Sequence, residues 1–256
     1  MSCDINMIEF CDNIGGMNMI LFDSFPTEAL IPADDERASH ILNVLHLKEG
    51  DSFRMGIINT SEGDAVIKAI SPEGITLSYT PSCTPSLYPV TLLCAQVRPI
   101  CMKRILREAV SLGVERIILC GSDTGEKSYL SSNLYRTGEY REYLLDGAMQ
   151  SAHAGLPEVL FADHANMAVR LVRENCRADA DLIMLDNVVG AVPLSTAAIG
   201  SPAVLAIGPE RGWSDRERKL FSDSGFRPML LGSRVLRTET ACSAGVAVLL
   251  SRMGLL

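Results

Sequence analysis

Two stretches near the C-terminus carry residues whose types and spacing suit ligand chemistry. The first is Gly208-Pro209-Glu210-Arg211-Gly212-Trp213, which follows the apolar run Ala203–Ile207. A strand that ends in a glycine-containing loop lets backbone approach a ligand closely. Ser214 and Glu217 follow at capping-box spacing, so a helix should begin at once. Strand, glycine loop and helix start is where open α/β sheets take nucleotides, although many plain turns look the same. The second stretch is Leu231-Gly232-Ser233-Arg234-Val235-Leu236-Arg237-Thr238-Glu239-Thr240-Ala241. Arg234 or Arg237 could grip a carboxylate or phosphate through two parallel N–H donors. An internal ion pair, Arg237–Glu239 or Arg237–Glu210, is the plainer reading of the same charges.

Other chemistries find little support. Neither loop has the dinucleotide fingerprint, and no phosphate-loop lysine motif occurs. The four histidines form no H-E-x-x-H pattern, and the eight cysteines form no C-x-x-C pair, so no metal site is expected. Cys94 and Cys120 sit inside apolar runs and read as buried thiols of a reduced, cytoplasmic protein. No run of 18 apolar residues spans a membrane, and no signal peptide is visible.

The elements that must position these loops fall into two regions. Residues 19–80 read as short strands, Phe53–Ile58, Asp64–Ile70 and Ile75–Tyr79, separated by turn signals. Only Asp34–Leu47 has helical periodicity there. A small β-barrel or sheet with one helix fits. Residues 81–89 hold three prolines and read as a linker. From residue 90 the rhythm becomes alternating: strands at Val90–Val97, Glu115–Cys120, Glu158–Phe161, Asp181–Leu185, Ala203–Ile207 and Arg227–Leu231, with helices between. One of these helices is expected as a long stretch from about Asn133 to Ala154. That alternation implies a mainly parallel sheet covered on both faces. The last helix is expected over Glu239–Met253; its stretch Ala241–Leu250 is apolar on nearly every side and must be buried in the core or at a subunit interface. Residues 1–18 read as a poorly ordered extension.

Charge divides along the same line. The whole chain carries −8, which alone argues against a nucleic-acid partner. Residues 1–88 hold 4 Lys/Arg and 13 Asp/Glu, a net of −9, whereas residues 89–256 hold 19 and 18, a net of +1. A phosphate-binding surface therefore belongs to the second region.

Together the two loops resemble the SPOUT class of methyltransferases. Within that class they resemble the ribosomal RNA small-subunit methyltransferase E family. Leu231–Ala241 matches that family's Leu-Gly-x-Arg-[Ile/Leu/Val]-Leu-Arg-x-Glu-Thr-Ala throughout, and Gly208–Gly212 matches its Gly-Pro-Glu-Gly-Gly loop except at Arg211. His40–Asp51, Leu112-Gly113-Val114, Glu126-Lys127-Ser128 and Gln150-Ser151 leading to Leu156-Pro157-Glu158-Val159 carry the similarity upstream, from Met19 to the end. The chain departs from the family at Met149, where a glutamate is usual, and at Ala152-His153-Ala154, which lacks an arginine.

The resemblance implies a PUA-like β-barrel over 19–80 and a SPOUT α/β domain over 90–256 with a deep trefoil knot. It also implies S-adenosylmethionine as cofactor, held by Leu185, Ile207, Gly208, Pro209, Glu210, Gly212, Leu231, Gly232, Val235, Leu236 and Thr240. Arg237 and Glu239 would be catalytic, and Arg211, Trp213 and Arg234 would meet RNA. The implied reaction is methylation of N3 of a uridine in 16S rRNA of the small ribosomal subunit, by a homodimer joined through the knotted domain. Two rival readings stand beside it: a SPOUT enzyme acting on another rRNA or tRNA nucleoside, and a knotted RNA-binding protein without catalysis.

Overall fold

The computed structural model describes residues 19–188 and 190–256. The expectation for residues 1–18 lies outside them.

The first region is a five-stranded sheet. Its strands are β1 (Ile20–Phe22), β2 (Glu28–Pro32), β3 (Ser52–Ile57), β4 (Ser61–Ser71) and β5 (Gly74–Cys83), in the order β1-β3-β4-β5-β2. β1 runs parallel to β3 and the other pairs are antiparallel. The turn signal Ser71-Pro72-Glu73-Gly74 lies at the β4–β5 junction, whereas of Asn59-Thr60-Ser61-Glu62-Gly63 only the first two residues lie between β3 and β4. A helix, α1 (Glu36–Ser39), continues as a π-helical turn over His40–Val44 and covers a core of Phe53, Met55, Ile67, Ile75 and Leu77. Asp35 starts α1 by accepting the Arg37 N–H at 2.8 Å.

Strand β5 reaches Cys83, beyond the expected boundary at residue 80 and into the expected linker. Proline in a strand needs a side with no ladder partner. β2 pairs with β5 only as far as Ser78, so Pro81 faces β4 alone, opposite Gly63. The true connection between regions is therefore short, running from residue 84 to residue 87.

The second region is a seven-stranded sheet with every paired strand parallel. Its strands are β6 (Tyr88–Ala95), β7 (Val114–Cys120), β8 (Glu158–Ala162), β9 (Asp181–Leu185), β10 (Val192–Pro193), β11 (Ala203–Ile207) and β12 (Arg227–Leu230). Their order is β10-β12-β9-β11-β6-β7-β8. Strands buried on both faces should be apolar throughout, and all five residues of β11 are buried.

Helices α2 (Pro99–Ser111), α4 (Tyr140–Gln150) and α7 (Thr238–Arg252) pack on one face of this sheet. Helices α5 (Ala165–Asn175) and α6 (Asp215–Asp223) pack on the other. The expected helix from Asn133 to Ala154 is broken: α3 (Asn133–Arg136) stops before Gly138, which takes a left-handed φ of 78°. No helix of the described residues is long and apolar enough to cross a membrane.

The two regions meet along a seam. Alternation in β1 and its approach sends Met19 and Leu21 into the core of the large sheet, and Ile20 and Phe22 into that of the small one. Four hydrogen bonds from backbone N–H groups cross the seam among the described residues. Met19 N–H donates to Met149 O at 3.0 Å, Asn59 N–H to Ala154 O at 3.0 Å, Ala154 N–H to Glu62 Oε1 at 2.7 Å and Leu156 N–H to Asn59 Oδ1 at 2.7 Å. A Cβ on Gly56 would lie 2.6 Å from Ala154 Cβ, so only glycine allows this approach. The stretch where the sequence departs from the family, Met149 to Ala154, lies at this seam.

Candidate active site

Parallel strands end on one edge of their sheet, so the loops that follow them share a rim. β12, β9 and β11 are neighbours, and their following loops line a cleft. Leu185, Ile207, Met229, Leu231 and Leu236 give it apolar walls, with Gly208, Pro209, Glu210, Gly212, Arg234 and Val235 around them. Nine of the eleven residues expected to hold the cofactor line it: Leu185, Ile207, Gly208, Pro209, Glu210, Gly212, Leu231, Val235 and Leu236. Gly232 and Thr240 do not. Gly232 makes the turn out of β12 with φ 146°, and Thr240 is exposed on α7. Asp186, Asn187, Met229, Thr238 and Ala241 join the lining without having been expected. Asp186, Asn187 and Thr238 are legible only through position, because each flanks the end of a strand or the start of a helix.

The loop after β11 is strapped from three sides. Thr124 donates to Gly212 O at 2.6 Å, and Thr238 donates to Gly208 O at 3.3 Å. Ser214 and Glu217 form the expected capping box. Glu217 is buried and also accepts the Asp123 N–H at 2.9 Å, which ties the loop after β7 to α6. Behind the loop Trp213 is 1% exposed, with its ring 4.7 Å from that of Phe221.

That placement overturns the reading of Trp213 as an RNA-stacking residue. Its ring faces α6 on the back of the sheet, because the chain must turn into the capped helix one residue later.

A second cleft opens beside the first, over the ends of β11, β6 and β7. Arg98, Cys101, Thr124, Gly125, Glu126, Tyr129, Glu210, Arg211, Arg237 and Glu239 line it. Arg237 and Glu239, expected to be catalytic, thus stand together, and Glu210 belongs to both clefts. Arg211 faces the second cleft, while Arg234 stands in the first. Among the described residues none of Arg98, Arg211, Arg234 and Arg237 enters an ion pair, so neither internal pairing of Arg237 forms. The arginines that do pair are elsewhere on the rim: Arg218 with Asp186 at 2.5 Å and Arg216 with Asp123 at 2.7 Å. Burial, and then the nearby Glu239 carboxylate, push the Cys101 thiol up, which keeps it protonated and a poor nucleophile.

The first cleft fits a nucleoside cofactor. Its apolar side chains suit the faces of a purine. Side chains at Gly208 would crowd the loop, since a Cβ there would stand 3.1 Å from Trp213 N. Glu210 supplies negative charge at the mouth, where a cationic methyl donor would need it.

Comparison with known proteins agrees with this geometry. The family model described as RNA methyltransferase domain matches residues 84–250, and that described as RNA methyltransferase PUA domain matches residues 33–78. The ribosomal RNA small subunit methyltransferase E of Treponema pallidum is 35% identical over 252 residues, which cover 92% of this chain and 91% of that protein. A Borreliella burgdorferi protein with the same name, numbered 1, is 27% identical over 93% of this chain and 99% of its own. In fold, the Neisseria gonorrhoeae ribosomal RNA small subunit methyltransferase E, solved bound to S-adenosyl methionine, superposes with a TM-score of 0.76. It is 20% identical and covers 93% of this chain and 98% of its own. The chain belongs to the ribosomal RNA small subunit methyltransferase E family.

Proposed function

We propose that this protein transfers a methyl group from S-adenosylmethionine to N3 of a uridine in 16S rRNA of the small ribosomal subunit. One observation carries the reading: the cleft lined by nine of the expected cofactor residues shares Glu210 with the cleft that holds Arg237 and Glu239. Donor and acceptor would therefore meet across a single loop.

S-adenosylmethionine, when bound, supplies a methyl group on a sulfonium that is displaced in line, so the protein's task is chiefly orientation. Leu185, Ile207, Leu231 and Leu236 would hold the adenine, and Glu210 would face the positive end. Uracil N3 carries a proton and is a weak nucleophile while neutral. Arg237, in no ion pair among the described residues, would stabilise the anion that develops as that proton leaves. Glu239, on the same cleft, would accept the proton.

The reading includes the deep trefoil knot, a cytoplasmic location and a homodimer formed through the larger domain. Apolar exposure near the clefts supports the dimer: Val235 is 84% exposed and Ile100 62%.

Titration with S-adenosylmethionine tests the first half of the reading, and absence of binding would remove it. Mass-spectrometric mapping of rRNA nucleosides from a deletion strain tests the second. Loss of one 3-methyluridine is expected, and its retention would overturn the assignment.

A further inference from the structure

The second cleft has a wall that the reaction chemistry alone does not use. Tyr129 lies on the single helical turn Lys127–Ser131 after β7 and lines this cleft opposite the loop that carries Glu210 and Arg211. It is half-buried, and among the described residues lining either cleft it is the one aromatic side chain. Trp213 offers no ring there, because it is buried against Phe221. Arg98 stands at the start of α2 on the same cleft. Its backbone N–H meets Glu210 Oε1 at 3.5 Å, while its guanidinium enters no ion pair among the described residues.

A base to be modified must leave its stack, and an aromatic face replaces what it loses. A nearby unpaired guanidinium can hold the flanking phosphate through two donors. We propose that Tyr129 is the stacking surface for the extruded pyrimidine and that Arg98 anchors a neighbouring phosphate. Both residues set the substrate's position and take no part in proton transfer. The inference rests on the methyl-transfer reading for its substrate, but its binding test does not.

The test uses the full chain and two readouts. Affinity for a fluorescein-labelled, uridine-rich single-stranded RNA of about 15 nucleotides is measured by anisotropy. Methyl transfer is measured on small ribosomal subunits from a deletion strain. Tyr129→Ala should weaken RNA binding and raise KM roughly tenfold or more, the size of one lost base stack. Tyr129→Phe should restore both, and S-adenosylmethionine affinity should stay unchanged in each variant. Arg98→Ala should lower RNA affinity and flatten its salt dependence by about one phosphate contact.

Wild-type RNA affinity in Tyr129→Ala would overturn the stacking role, as would equal loss in Tyr129→Phe, which would implicate the hydroxyl. Failure of the wild-type protein to bind the RNA at all would overturn the cleft assignment. Tyr129-dependent RNA binding by a protein that methylates no small subunit would uphold the cleft and reject the proposed reaction.

Discussion

The two loops that build the first cleft are held in opposite ways. The loop after β11 is fixed from behind: Trp213 is in the core, Thr124 and Thr238 hold its carbonyls, and a capping box starts the helix beyond it. The loop after β12 is fixed by little. Among the described residues no hydrogen bond involves Gly232 to Leu236, and Val235 is 84% exposed. Yet the second loop carries the motif that resembles the family throughout, while the first departs from it at Arg211. The difference teaches that a motif's specificity need not come from the fold. Gly208–Trp213 answers to its own chain. Gly232–Leu236 makes no hydrogen bond among the described residues, so its residue types suit contacts with something else, namely cofactor and substrate.

That contrast can be broken by substitution. Trp213→Ala should cost about 3–5 kcal/mol of stability, the range for removing a large buried aromatic. Chemical denaturation measures it, and a loss under about 1 kcal/mol would mean that the first loop is not anchored as described. Arg237→Ala should lower kcat by roughly a hundredfold or more, as loss of a charge-stabilising donor does. Its melting temperature and cofactor affinity should hold. Equal losses in kcat and in cofactor affinity would move Arg237 from the reaction to the cofactor.

Val235→Ser should change stability by less than about 0.5 kcal/mol, as at other exposed positions, while weakening S-adenosylmethionine binding measured by calorimetry. A clear drop in melting temperature would show the second loop to be more firmly packed than its exposure implies.

The smallest effect concerns pH. Hydrogen bonds from Arg216 and Ser214 hold the Asp123 carboxyl below its usual range. A depressed carboxyl stabilises the folded state above its unfolded pKa, near 3.9, and that contribution is lost as pH falls through the lower folded value. The groups are largely solvent-screened, so the gain is at most several tenths of a kcal/mol. Asp123→Asn should therefore melt slightly below wild type at pH 7 and approach it at about pH 3.

Much of this arrangement was legible in the sequence, and the failures have physical causes. The strands at Asp181–Leu185 and Ala203–Ile207 fall where apolar runs put them: all five residues of β11 are buried, as are Ile183 and Met184 of β9. The capping box at Ser214 and Glu217 is a local signal and was read directly. Strands β2 and β10 gave no such signal. β2 is mostly exposed, and β10 has two residues, so neither shows a buried period. The first cleft was readable because three loops each follow a readable strand. The second was not, apart from Arg211, Arg237 and Glu239. Arg98 and Tyr129 look like surface residues until the order β11-β6-β7 brings them beside Glu210. Trp213 was misread because a residue's neighbours in sequence do not say which side of a sheet it turns to.

The alternation of β1 has a mechanical consequence. A strand that gives one face to each of two cores is a common wall, and neither room stands without it. Thermal unfolding of the smaller sheet would strip Met19 and Leu21 from the larger one, so the chain should come apart in one event. The same wall makes the molecule a rigid gauge. The smaller sheet therefore keeps a set distance from the two clefts.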